Sequence, residues 1–183
     1  MRKIKTLIAA SVILLMASAF TFLRPEKWIV KSNYSIKITN GLHAEFKTFK
    51  AGIVFDEEHP EKSVLTATID AASIETGKPL MNEHAKEKDG LDAAKYPYIT
   101  FASTNVSKTM EGYIATGNLT LKDVTREVKI PFYFSSTKNS NRFPFPDKET
   151  FAGKFAIKPK EFNVTRQGVP DEIVIELLIP VIH

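Results

Sequence analysis

The sequence predicts an all-β fold: one antiparallel barrel or sandwich of about seven or eight short strands. Three observations lead there. Apolar residues recur with period two through most of the chain, the spacing of strands with one buried face. Turn-forming pairs fall between these runs at hairpin intervals. The chain has 183 residues, with no internal repeat and no low-complexity linker, which fits a single domain with a short N-terminal appendage.

Taken in order, Tyr34, Ile36 and Ile38 alternate, then Leu65, Ala67 and Ile69, then Ile99, Phe101 and Ser103. Tyr113, Ala115, Gly117, Leu119 and Leu121 continue the pattern. Val128, Ile130, Phe132 and Phe134 form an unbroken stripe, as do Phe151, Gly153, Phe155 and Ile157. The last run is Ile173, Ile175, Leu177, Ile179 and Val181, and its opposite face carries Val174, Leu178 and Ile182 beside Glu176. Apolar groups on both faces of a final strand suit either extra packing or a homodimer interface. The turns expected between the runs are Asn40-Gly41, Glu111-Gly112, Lys122-Asp123, Asn139-Ser140-Asn141 and Gln167-Gly168. From Lys78 to Lys95 the alternation stops and helix formers dominate. That interval predicts one or two short helices, interrupted at Asp89-Gly90, covering one end of the strands.

The N-terminus reads as an address. Arg2, Lys3 and Lys5 precede an apolar run from Leu7 to Met16, and Ala17-Ser18-Ala19 supplies the small residues of a cleavage site. Residues 1–19 are therefore expected to be a signal peptide. The alternative is a retained anchor to about residue 23, which would hold the protein beside a membrane. Removing residues 1–19 takes away three of the 25 basic residues and none of the 21 acidic ones, so the net charge of +4 falls to +1. A nearly neutral mature chain lacks the basic excess of a nucleic-acid binder. There is no cysteine, so disulfides, thiolate metal sites and a cysteine nucleophile are excluded.

The sequence offers little for catalysis. His43, His59, His84 and His183 show no helical metal-ligand spacing. Neither a nucleophile elbow nor a glycine-rich phosphate loop occurs. The clusters Asp56-Glu57-Glu58 and Asp171-Glu172 read as solvated turns. No enzymatic activity and no cofactor are expected.

One further pattern is specific. Ala72-Ser73-Ile74-Glu75-Thr76 is followed by Asn82-Glu83-His84, then by the run from Lys95 through Tyr96-Pro97-Tyr98-Ile99-Thr100-Phe101 to Ala102-Ser103-Thr104, then by Gly117-Asn118-Leu119-Thr120-Leu121-Lys122-Asp123-Val124-Thr125. In this order the blocks resemble the YceI-like family of exported, lipocalin-like proteins, and the likeness runs from about Trp28 to Val181, within a domain taken as residues 28–183. The resemblance implies a lipocalin-like antiparallel barrel of about eight strands, with helical segments beside it. Its interior would bind a long apolar chain, typically an isoprenoid, quinone-like or fatty amide molecule. Two departures stand out. The family usually opens with an S-H-S strand, where this chain has Ser32-Asn33-Tyr34-Ser35, and it often carries an arginine where this chain has Ile157-Lys158-Pro159-Lys160-Glu161-Phe162.

On that reading the candidate ligand-binding residues come from the stripes: Ile36, Ile38, Phe46, Phe55, Ile69, Phe101, Leu119, Leu121, Phe132, Phe134, Phe155, Ile175 and Leu177. Period two alone leaves open which stripe faces inward. Burying a CH₂ gives about 0.8 kcal/mol, whereas association costs on the order of 4–15 kcal/mol, so a long-chain partner is favoured over a short one. Two other readings stand beside it: a barrel filled by its own side chains that acts as an interaction or stress-response module, and a metal enzyme built on His84 and a carboxylate.

Overall fold

The computed structural model describes residues 26–135 and 149–182. The expected signal segment and the Asn139-Ser140-Asn141 turn lie outside these residues. The strands are β1 (Glu26–Val30), β2 (Ser35–Ile38), β3 (Ala44–Phe46), β4 (Phe49–Phe55), β5 (Val64–Asp70) and β6 (Ile74–Glu75), then β7 (Tyr98–Thr109), β8 (Gly112–Leu121), β9 (Val124–Ser135), β10 (Glu149–Ile157) and β11 (Ile173–Ile182). One α-helix, α1 (Pro79–Lys86), lies between β6 and β7. It starts where one or two helices were expected, with Pro79 in its first turn, where a missing N–H costs nothing. It ends before Asp89-Gly90, and turns fill the rest of that interval.

All pairings are antiparallel, and β1 returns to β11 to close the sheet. The result is a closed eight-stranded barrel in which three staves are each broken in two. β1 and β2 run along the same strand, β11, pairing through Ile29↔Ile182 at one end and Ile38↔Ile175 at the other. β3 and β4 form the second broken stave, and β5 and β6 the third. The breaks lie side by side and are stitched by hydrogen bonds. The Tyr34 hydroxyl donates to the Lys47 carbonyl at 2.8 Å. The Thr48 amide donates to Ser73 Oγ at 3.0 Å, and the Asp70 amide donates to the Thr48 carbonyl at 3.0 Å.

The alternating stripes behave as period two requires. Along β8 the pattern of Tyr113, Ala115, Leu119 and Leu121 buried, with Ile114, Thr116, Asn118 and Thr120 less buried between them, is regular. Gly117 fills the gap in that stripe for a steric reason: a Cβ there would sit 2.4 Å from the Ala102 carbonyl oxygen and 2.8 Å from Cε2 of Phe101. The pairing of β7 with β8 shifts register between Ser103 and Asn105, immediately beside it. On β11 the outer face expected to be apolar carries Leu178 and Ile182 exposed.

Candidate functional site

The two ends of the barrel are built differently. At the end where β4 finishes and β8 begins, six aromatic rings fill the interior. Phe55, 2% exposed, meets Tyr113, Phe132, Phe134 and Phe151 at centroid distances of 5.0 to 5.8 Å. Trp28 closes the group with edge contacts to Phe134 at 5.0 Å and Phe151 at 6.1 Å. Edge-to-face packing of this kind adds to the gain from burial, so this end is a solid plug.

Above the plug the barrel is hollow. A cavity of about 270 Å³ runs up to the opposite end. Its wall is apolar: Ile36 and Ile38 from β2, Phe46 from β3, Ile69 from β5, Phe101 from β7, Leu119 and Leu121 from β8, Phe132 from β9, Phe155 from β10, and Ile175 and Leu177 from β11. Small side chains make the room. Ala51 and Ala67, paired directly across β4 and β5, line it together with Ala115.

Eleven of the thirteen side chains picked from the stripes therefore face one cavity, and Phe55 and Phe134 do not. Both belong to the plug. They share a stripe and a face with lining residues but stand about two residues lower, where the barrel is filled. Phe49 and Ile53 of β4 line the cavity and were missed, although they alternate with Phe55 in a legible period-two run. Leu42, Val164 and Val169 also line it from loops, where no periodicity marks them.

The mouth of the cavity is capped by α1, the turns after it and the segment from Pro159 to Val169. α1 is pinned at its start. Asn82 Oδ1 accepts from the Thr76 amide at 2.8 Å, and Asn82 Nδ2 donates to Glu75 at 2.9 Å. Glu75 also accepts from the Gly77 amide. The Asn82 hydrogen bond, then the Gly77 one, holds the Glu75 carboxyl below its ordinary range. Arg166 ties the two cap segments together, donating to Glu87 at 2.8 Å and Asp89 at 2.9 Å. These contacts, led by the hydrogen bond to Glu87, raise its pKa above the ordinary arginine value. Lys122 adds a second tie, donating to the carbonyls of Lys88 and Asn163. Gly41, at φ +65°, packs against Pro170, the residue that follows this cap segment, and a Cβ there would lie 2.6 Å from Pro170 Cγ.

The ionisable side chains lining the cavity, His84 and Arg166, both stand at this mouth. Arg166 is neutralised by two carboxylates. Among the described residues no three His, Asp or Glu side chains come together to hold a metal ion. The arrangement is an apolar pocket with a polar rim, the form of a small-molecule binding site.

Known proteins share this architecture. A UPF0312 protein of Pectobacterium carotovorum is 30% identical over 97% of this chain and 95% of its own length. The crystal structure of Burkholderia cenocepacia BcnA superposes with a TM-score of 0.69 at 28% identity, covering 82% of this chain and 95% of that one. A domain of Saccharophagus degradans described as polyisoprenoid binding shares the fold at a TM-score of 0.50 and 10% identity, over 86% of this chain and 94% of that one. The family model of the YceI-like domain matches residues 23–180, and the chain belongs to that family.

Proposed function

We propose that the protein is an exported binding protein that holds a long apolar molecule, of isoprenoid, quinone-like or fatty amide type, inside the barrel for transport or storage. One observation carries this reading: the barrel is hollow over the apolar cavity of about 270 Å³ instead of being filled along its whole length. An eight-stranded barrel is at the size where side chains either fill the interior or leave room for one small ligand. Here the aromatic plug fills one end, and Ala51, Ala67 and Ala115 keep the other open.

Export is supported by the basic, apolar and small-residue order of residues 1–19, which suits delivery to the periplasm or secretion. Membership of the YceI-like family and the polyisoprenoid-binding description of a structural neighbour favour binding over catalysis.

The test is solvent extraction of the purified protein followed by mass spectrometry, then reloading of the stripped protein with quinones and polyprenols. Recovery of an apolar compound in stoichiometric amount is expected. A clean extract, together with failure to take up any of these compounds, would sink the reading. Cell fractionation checks the location.

A further inference from the structure

Chain length is the property of a barrel ligand that this cavity measures most directly. We propose that Phe132 and Phe151 act as a ruler. They set the floor of the cavity so that about eleven carbons of a single apolar chain are enclosed, and any longer chain leaves its remainder outside the mouth beside α1. This rests on the reading that the barrel binds an apolar chain.

The volume gives the length. A dry apolar cavity of about 150 Å³ holds one benzene, six carbons, so about 270 Å³ holds roughly eleven, or two isoprene units. The floor is firm. Phe132 and Phe151 line the cavity and are 8% and 6% exposed. Their centroids lie 6.0 Å apart, and Phe55 backs both of them, at 5.8 Å from Phe132 and 5.2 Å from Phe151. Rings packed on this scale behave as a close-packed solid, and a chain cannot push between them without losing those contacts. Extra length must go the other way.

The opposite end leaves a route. Met81 of α1 lines the cavity and is also 43% exposed, so the cavity reaches the surface at that side chain. Leu80, its neighbour on the helix, is 67% exposed. A chain emerging there meets apolar side chains before it meets water.

The test uses stripped full-length protein and linear primary alcohols of increasing length, read by displacement of a bound fluorescent apolar probe. Each enclosed CH₂ is worth about 0.8 kcal/mol, so affinity should rise about fourfold per carbon up to about eleven carbons and then flatten. In Phe132→Ala the vacated ring is benzene-sized, which moves the break upward by up to about six carbons. Phe151→Leu, a milder change, should move it by fewer. A steady fourfold rise far beyond the predicted break in the unmutated protein would overturn the ruler. So would a break that stays fixed in either folded variant. The unmutated profile decides the matter even if both variants misfold. Failure to bind at any length is a different result: it overturns the carrier reading and the ruler with it.

Discussion

The Tyr34 hydroxyl accepts a hydrogen bond from the Phe49 amide at 3.0 Å, while the two rings meet edge to face at 5.2 Å. The same hydroxyl donates to the Lys47 carbonyl. One side chain in the gap between β1 and β2 thus satisfies two of the backbone groups released where β3 gives way to β4. This residue lies within Ser32-Asn33-Tyr34-Ser35, where the family usually carries S-H-S, so the departure from the pattern has a structural use.

Tyr34→Phe keeps the ring contact and removes the bridge. The expected cost is about 1–3 kcal/mol, from two lost hydrogen bonds, one of which leaves the partly desolvated Phe49 amide without this partner. Urea unfolding measures it. Hydrogen exchange should also show faster exchange at the Phe49 amide, and unchanged exchange there would contradict the role given to the hydroxyl.

Phenylalanines of the plug and of the wall should differ in their effect on stability. Phe55→Ala empties a site enclosed by four other rings and should cost about 3–5 kcal/mol. Phe155→Ala removes a half-buried ring that already faces open space, so less packing is lost, and it should cost about half as much. Paired denaturation curves compare them. Equal costs would mean that the plug and the wall are packed alike.

Arg166→Ala removes the side-chain ion pairs between the two halves of the cap and leaves the Lys122 tie in place. Its two partners, Glu87 and Asp89, are exposed carboxylates, and such ion pairs contribute little to global stability, so the melting temperature should hardly move. The effect belongs in ligand release, which should speed up about two- to five-fold in stopped-flow dilution of a bound apolar probe. High salt should reproduce part of that effect in the unmutated protein. An unchanged release rate would show that the cap does not limit exit.

The attachment of α1 should be acid-sensitive. Glu75 has a lowered pKa in the folded protein, chiefly through Asn82 and then Gly77. Its contribution is therefore fully present above the ordinary value of 4.5 and is lost as pH falls through the lowered folded value. The NMR signals of the Gly77 amide and the Asn82 side-chain amide should titrate together with a midpoint below 4.5, and Glu75→Gln should abolish that step. A midpoint at or above the ordinary value would refute the assignment.

The alternation along each strand was legible from sequence because period two is a local property of the backbone, whereas the choice of inward stripe was left open. Height along the barrel was not. Phe132 and Phe134 look equivalent as alternating residues, yet the first stands at the top of the plug and faces the cavity while the second lies below it. What separates them is which neighbouring staves bring aromatic or alanine side chains to the same level, and that is set by register across the whole barrel. The broken staves were hidden for a similar reason: the gaps at residues 31–34, 47–48 and 71–73 are stitched to one another across distant parts of the sequence. The helical interval was visible by composition, whereas the mouth contacts of Arg166 and Val169 join distant segments.

The place where the barrel closes sets the order in which it can fold. β11 is the final strand described and pairs with β10, β2 and β1, so residues 29 and 182 must meet before the ring exists. Contacts that span nearly the whole sequence make folding slow and late. A chain still emerging from the ribosome can form the β7–β8–β9 meander but has no partner to seal its first stave. The barrel is thus an all-or-nothing product of the chain through Ile182, and truncating its last strand should leave an open, aggregation-prone sheet rather than a smaller barrel.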